Sequence, residues 1–249
     1  MDAQQIFPLV PWVVLIPLIG ILVNGLVGSR LGEKGIGAIA SLASFGAFVI
    51  AGLLALALTQ QPEGANVTLA RWMAIGDLDV NWSFRVDTLS VTMMLVVAGV
   101  GTLIHLYSIG YMHADVRHNG DPARFRRFFL YLNLFIAAMM ILVSADNYLV
   151  MFVGWEGVGL CSYLLIGFWF ERGAGGYGNA QAAKKAFVVN RIGDLGFLIA
   201  MFLMFWGFRT LTFEGVLAAG PAASQGLILA ITLFLLLAVT GKSAQLPLF

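Results

Sequence analysis

Charge is scarce in this chain. Of 249 residues, 11% are Asp, Glu, Lys or Arg and 60% are hydrophobic, where a soluble domain carries about 25% charged and about 45–50% apolar residues. One folded core cannot hide that much apolar surface, so part of it must face lipid. The few charges nearly cancel, 14 basic against 13 acidic. That balance gives no reason to expect a polyanionic partner, and no basic stripe with interleaved aromatics supports nucleic-acid binding. Cysteine is almost missing. Cys161, alone in the chain, can form no intrachain disulfide and cannot by itself hold an iron–sulfur cluster, which needs a set of thiolates. Histidine is rare too: His105, His113 and His118 lack compact metal spacing with acids or cysteine. The first apolar stretch starts at Ile6 without a basic region before it or a small-x-small site after it, so it reads as a span and not as a leader.

What the chain has is long apolar runs. A bilayer core of about 30 Å is crossed by about 20 helical residues. Seven stretches qualify or nearly do: Ile6–Val27, Ile36–Leu58, Leu89–Tyr111, Phe128–Val143, Asn147–Phe170, Ala183–Phe208 and Gln225–Leu246. The expected fold is therefore an all-α polytopic membrane protein of about seven transmembrane helices. Between the second and third spans, Val67 to Arg85 alternates, is rich in β-branched and aromatic residues, and carries a Gly76-Asp77 turn signal. It predicts a short β-hairpin over the membrane surface. Leu211–Leu217 predicts a short surface helix with Thr212 near its start. Asp146 and Asn147 are candidate caps of the fifth helix. Pro247 lacks an N–H and its ring clashes with the carbonyl of Ser243, so the last helix should break near it. The loops after spans one, three and five hold Arg30, Lys34, Arg117, Arg124, Arg126, Arg127, Arg172, Lys184 and Lys185, against Arg71, Arg85 and Arg209 on the other side. This bias predicts an N-terminus on the non-cytoplasmic side. The chain stops at Phe249 with no polar tail, as a truncated chain would.

Four charged residues remain inside the predicted spans: Glu156, Arg191, Asp194 and Lys242. A charge at mid-membrane costs several kcal/mol unless it is paired or serves transport. Two are negative and two positive, as a neutral buried network requires. Glu156 lies nine residues into the fifth span, roughly 14 Å deep at 1.5 Å per residue. Gly154, Gly157 and Gly159 around it permit close helix approach. It reads as part of a proton pathway or as a structural ion pair. Arg191 and Asp194 are three apart on the sixth span and face one side; they can tune such a pathway or simply neutralise each other. Lys242 precedes the predicted helix break, and broken helices at membrane depth line ion paths. A buried lysine has a tunable proton affinity, which makes it a candidate proton store; the alternative is a lysine snorkelling at a span end. His105 could relay protons or be a packing histidine. Gly173–Gly178, "GAGGYG", matches the G-x-G-x-x-G dinucleotide pattern. It follows a transmembrane helix and not a strand, so it reads as a flexible loop.

The runs "ADNYLVMFVGWEGVGLCSYLLIGFW" (Ala145–Trp169), "KKAFVVNRIGDLGF" (Lys184–Phe197) and "GKSAQLPL" (Gly241–Leu248), with "FRVDTLSVTMM" and "RFFLYLNLFIAAMMILV", resemble the subunit L (mitochondrial chain 5) family of the proton-pumping NADH:quinone oxidoreductases, respiratory complex I. The likeness covers nearly the whole chain in order. It extends to the antiporter-like proteins, with two inverted five-helix repeats, each holding a broken helix. By this resemblance, residues 1–112 are three leading helices and 126–249 an incomplete first repeat; the second repeat, with its lysines and histidine, would follow Phe249. The family's glutamate falls on Glu156, its broken-helix lysine on Lys242 and its sixth-span aspartate on Asp194. The implied activity is proton translocation coupled to electron transfer from NADH to quinone, in a bacterial inner membrane. No cofactor is expected on this chain. NADH, FMN, iron–sulfur clusters and quinone would sit on partner subunits, with M-, N- and K-type membrane subunits and the lipid bilayer as neighbours. The expected mechanism has Glu156 stabilising protonated Lys242 directly, with Arg191 and Asp194 tuning the pair. A subunit of a multi-subunit sodium/proton antiporter would use the same residues, and a scaffold would use them only to fix helix packing.

Overall fold

The computed structural model describes residues 2–76 and 78–249. Asp77, the second residue of the expected hairpin turn, lies outside the described residues; Gly76 before it has a φ of 59°. The element order is α1 (Ala3–Ile6), a 3-10 turn at Phe7–Leu9, α2 (Trp12–Gln60), strands β1 (Ala65–Ile75) and β2 (Leu78–Val86), then α3 (Thr88–Asn119), α4 (Pro122–Ser144), α5 (Tyr148–Ile166), α6 (Gly178–Phe208), α7 (Phe213–Ala219) and α8 (Gln225–Lys242). Among the described residues, six helical segments are long and apolar enough to cross a membrane. The first, Ala3–Gln60, runs to 58 residues, too long for one crossing.

That segment is two spans joined without a loop. Gly32 has φ 65° and ψ 176°, a conformation essentially restricted to glycine. Beyond it the chain runs back: Asn24 Nδ2 donates to the Ile36 carbonyl at 3.1 Å across 12 residues, a separation that spans about 18 Å in a straight helix. Residues 12–31 and 33–60 are thus antiparallel arms of α2, and the expected first and second spans are both there. Gly20 meets Ala43 at their crossing, where an added Cβ would lie 2.7 Å from the Ala43 Cβ.

The remaining helix ends follow from their caps. Asp87 begins α3 with a reciprocal capping box: its side chain accepts from the Ser90 N–H at 2.8 Å, and the Ser90 hydroxyl accepts from the Asp87 N–H at 2.9 Å. Asn147 caps α5 by accepting from the Val150 N–H at 2.8 Å, whereas Asp146 instead accepts from the Asn147 side-chain amide. Thr212 caps α7 and Ser224 caps α8, each accepting from a backbone N–H of the first turn. Several helices differ in length from the sequence expectation: α3 and α4 extend toward each other, to Asn119 and from Pro122, and α5 ends at Ile166 rather than Phe170. The hairpin forms where alternation placed it, with Trp72 and Trp82 at 5.1 Å between ring centroids and an exposed Arg71–Asp79 ion pair at 3.0 Å.

The chain divides into two compact units. One comprises residues 1–67 and 84–144; the other comprises 68–83 and 145–249. In the first, α2, α3 and α4 pack together around Met94, Phe125, Phe129 and Met140. In the second, α5, α6 and α8 pack around Phe197, Ala200, Met201 and Met204, with Phe152 and Trp155 of α5 against them.

Candidate proton-transfer site

The four charged residues expected inside spans all lie in the second unit, on α5, α6 and α8. Glu156 is the ninth of nineteen residues of α5, so it sits at mid-helix. Asp194 and Arg191 occupy the middle of α6, and Lys242 is the last residue of α8. Glycines set how close these helices come. A Cβ on Gly193 would lie 3.0 Å from the Ala238 carbonyl oxygen, and one on Gly241 would lie 3.1 Å from the Gly193 Cα. α6 and α8 therefore touch backbone to backbone. Gly159 clears the way for the lysine: a Cβ there would stand 2.7 Å from Lys242 Nζ.

The pairing differs from the one expected. Glu156 does not meet Lys242; its Oε2 accepts from Arg191 Nη1. Arg191 Nε also approaches Asp194 Oδ2 at 3.7 Å, and its guanidinium lies 4.8 Å over the Phe187 ring. One arginine thus serves two carboxylates. The reason is rotational: Glu156 and Asp194 both face the Arg191 side of the α5–α6 contact, while Lys242 reaches α5 one helical position earlier, at Trp155. Glu156 Oε1 is buried without a hydrogen-bond partner.

Trp155 joins the two halves of the cluster, and sequence reasoning missed it. Its indole N–H donates to Asp194 Oδ1 at 2.7 Å. Its backbone carbonyl accepts from Lys242 Nζ at 3.0 Å, and the ammonium lies 5.3 Å from the ring centroid, in cation–π range. The order of contacts is therefore Glu156, Arg191, Asp194, Trp155, Lys242. The sequence did hold a signal: a mid-span tryptophan beside an acid needs a partner for its N–H. Asp194 is 3% exposed and both its oxygens are engaged. With Lys242 protonated, the cluster is neutral.

Helix α8 stops at Lys242, with the Ser243 N–H bonded back to Val239 and Ala244 at φ 50°. The break precedes Pro247 as its missing N–H required. It opens a cavity of about 360 Å³ lined by Ser162, Lys185, Asn190, Gly241 and Lys242 with Leu248 and Phe249. Lys242 therefore faces α5 on one side and, on the other, a largely apolar cavity with Ser162, Lys185 and Asn190 in its wall. On the other face of α6, Arg191 is half-exposed in an apolar groove of Phe187, Val188, Ile192 and Leu195. The glycine loop at Gly173–Gly178 has left-handed Gly173, Gly175 and Gly176 and follows a helix, so the strand-to-helix setting of a dinucleotide loop is not present there. Among the described residues no group of three or more His, Cys, Asp and Glu side chains converges as a metal site would, and Cys161 is a buried free thiol.

Two family models match in tandem. Residues 72–129 match NADH-Ubiquinone oxidoreductase (complex I), chain 5 N-terminus, and residues 145–249 match NADH:quinone oxidoreductase/Mrp antiporter, TM. The chain is 47% identical over 239 residues to NADH-quinone oxidoreductase subunit L of Mycobacterium tuberculosis (strain ATCC 25618 / H37Rv), covering 94% of this chain and 36% of that protein. It is 40% identical over 238 residues to NADH-ubiquinone oxidoreductase chain 5 of Allomyces macrogynus, covering 95% and 35%. The chain spans about a third of the length of the curated relatives it matches. Its fold is shared with a chain of the Mrp complex from Dietzia sp. DQ12-45-1b, with a TM-score of 0.76 at 24% identity, over 96% of this chain and 24% of that one. A chain of the membrane-bound sulfane sulfur reductase, an archaeal respiratory membrane complex, gives 0.77 at 14% identity, over 94% and 44%. At those identities the likeness speaks for fold alone. The tandem matches and the sequence identities place this multi-pass membrane chain in one family: it belongs to the subunit L / chain 5 family of the NADH:quinone oxidoreductases, among the antiporter-like membrane proteins.

Proposed function

We propose that the chain moves protons as a membrane-arm component of an NADH:quinone oxidoreductase, with Lys242 as the group that takes up and releases the proton. The observation that carries this reading is the placement of Lys242: bonded to Trp155 on one side, open to a cavity edged by Ser162 and Asn190 on the other. A structural lysine needs only the first contact; a transferring one needs both.

In the arrangement described, Arg191 occupies Glu156 and Asp194, so the Lys242 amine is held by the Trp155 carbonyl and ring alone and is poised to release its proton. The Asp194 and Glu156 carboxylates belong to the same cluster as the ammonium, and the Arg191 guanidinium offsets their charge. When Arg191 shifts away from the two carboxylates, their uncompensated charge draws a proton onto the lysine. When Arg191 returns, Lys242 Nζ gives its proton to water in the cavity and the cluster passes from neutral to a net single negative charge. Uptake of the next proton restores neutrality. Such a switch needs two arrangements of one element biased by an outside signal. The half-exposed guanidinium on the α6 groove is where partner subunits could apply it. Asp194 and Trp155 hold the arginine and lysine in register.

NADH, FMN, iron–sulfur clusters and quinone would lie on other subunits, M-, N- and K-type membrane subunits among its neighbours. The setting would be a bacterial inner membrane with the N-terminus on the non-cytoplasmic side, supported by the basic loops. The second reading is a subunit of a multi-subunit sodium/proton antiporter, favoured by the Mrp part of the 145–249 match. Glu156→Gln in the assembled complex, assayed in vesicles for NADH oxidation, proton uptake and Na⁺ flux, separates the readings. Proton uptake should fall to background while the complex still assembles. Normal pumping sinks the assignment; Na⁺ flux without NADH favours the antiporter. Lost assembly with normal flux per complex marks a scaffold.

A further inference from the structure

The first unit holds a cavity of its own, at the end where the chain reverses at Gly32, and proton transfer through Lys242 makes no use of it. The cavity measures about 170 Å³, with Gly28, Ser29, Gly32 and Glu33 of α2 facing Pro122 and Arg126 of α4. Two glycines leave the room. A Cβ on Gly28 would stand 3.1 Å from Arg126 Cδ, so glycine there lets the arginine stem lie against α2. At Gly32, with its φ of 65°, a Cβ would meet nothing within 4 Å, so the reversal leaves open space beside the backbone. Pockets that enclose a drug-sized ligand run to about 300–1,000 Å³; this one takes a small group.

The carboxylates around it are already engaged. Glu33 accepts from His113 Nδ1 of α3 at 2.6 Å. Asp121, just before α4, accepts from the Ala123 N–H at 3.0 Å and lies 3.5 Å from Arg124 Nε. The start of α4 is thus capped from within, and its amides are not what the cavity offers. Arg126 is different. It is part-buried, and among the described residues no hydrogen bond or ion pair engages its guanidinium. A half-desolvated guanidinium needs an anion, and its planar fork matches a phosphate with two parallel N–H bonds. The place suits a lipid headgroup, because the cavity sits at the ends of membrane-crossing segments. Arg30, Lys34 and Arg117 are exposed at this same end, a basic surface of the kind that draws anionic lipid. Val27 and Leu31, beside the lining positions of α2, are 38% and 42% exposed and offer acyl chains an apolar track.

We propose that this cavity is a headgroup site for an anionic phospholipid: the Arg126 guanidinium holds the phosphate beside Gly28 and Gly32, and the acyl chains lie outside, along Val27 and Leu31. The phosphate supplies the counter-charge that the fold withholds from Arg126, and it ties the reversal of α2 to the start of α4. Glu33 does not bar it, because its carboxylate is engaged by His113. The site is separate from the Glu156–Lys242 cluster and does not depend on that cluster moving protons.

The test is a cryo-electron microscopy map of the full-length chain in its assembled complex, in nanodiscs of phosphatidylcholine with phosphatidylglycerol, paired with native mass spectrometry of the lipids retained. The expected result is phosphate density within about 2.7–3.2 Å of the Arg126 guanidinium, with acyl density running past Val27 and Leu31. Arg126→Gln should lose one retained phosphatidylglycerol per complex. Water alone in the cavity, or unchanged lipid retention in Arg126→Gln, overturns the proposal. A second map, of lipid-stripped complex in detergent with inorganic phosphate, separates the sources: density found only there, with no acyl chains in the nanodisc map, overturns the lipid assignment. Equal occupancy in nanodiscs of phosphatidylcholine alone overturns the preference for anionic lipid. Should the variant fail to assemble, the wild-type maps decide.

Discussion

The two units solve one problem in different ways. Both bury polar side chains among apolar helices. The α2–α3–α4 unit buries neutral ones: Asn24, Ser44, Thr102, His105 and Asn133, bonded to carbonyls or hydroxyls where they are bonded at all. The α5–α6–α8 unit instead gathers formal charges in a balanced set, with part-buried Glu156 and Lys242 and the half-exposed Arg191 around the buried Asp194. Neutral groups can be satisfied one hydrogen bond at a time. Charges must be satisfied as a group, because removing one partner strands the others in low dielectric. A unit built the second way responds as a whole when one proton comes or goes, which is what a translocating site needs and a scaffold does not.

Breaking the charged set should therefore have the largest effect. Asp194→Ala removes the buried acceptor of the Trp155 N–H and one of the two carboxylates on Arg191, and it unbalances the set by one charge. The unit should lose about 3–5 kcal/mol, read as a large drop in the detergent or thermal stability of the complex, and proton transfer should go with it. Trp155→Phe is the sharper probe. It keeps the ring beneath Lys242 but removes the donor to Asp194, a loss of about 1–3 kcal/mol. Pumping per NADH oxidised should fall while assembly persists. Unchanged pumping would detach the tryptophan from the pathway. Gly159→Ala comes next: its Cβ, 2.7 Å from Lys242 Nζ, should displace the ammonium and lower pumping with little loss of assembled complex.

In the neutral unit the effects should be smaller and confined to stability. Asp87 outside the α3 span offers a pH handle. Burial alone would raise its carboxyl, but the Ser90 backbone and hydroxyl bonds and the Arg85 guanidinium together hold it below the ordinary carboxylate value. A carboxyl lowered by folding stabilises the protein above its unfolded value, and that contribution disappears as pH falls through the lowered one. Asp87→Ala should cost about 1 kcal/mol at neutral pH. In thermal melts at decreasing pH, wild type and variant should converge on the acid side of the lowered value. Constant separation down to strong acid contradicts the cap.

Much of this was legible in the chain. The spans, the hairpin and the caps at Asn147 and Thr212 follow from apolar length, alternation and short polar side chains before apolar runs. The four charged residues follow from subtracting the loops. Their pairing did not. Spacing along one helix fixes that Arg191 and Asp194 share a face, but nothing in the sequence gives the rotation of α5 against α6 and α8. One helical position of rotation decided that Lys242 meets Trp155 and Glu156 meets Arg191. The reversal at Gly32 was hidden for a related reason: a glycine among charges reads as a loop, and only its positive φ makes a loop unnecessary.

The central claim is that Lys242 gives up its proton during turnover. Lys242→Arg tests it most directly, because arginine keeps the positive charge and the cation–π contact but cannot be deprotonated in a protein. Protons moved per NADH oxidised should fall to the level of Lys242→Met in the assembled complex, although the buried charge balance survives. Pumping at the wild-type ratio with arginine at this position would contradict the account, since the charge alone would then suffice.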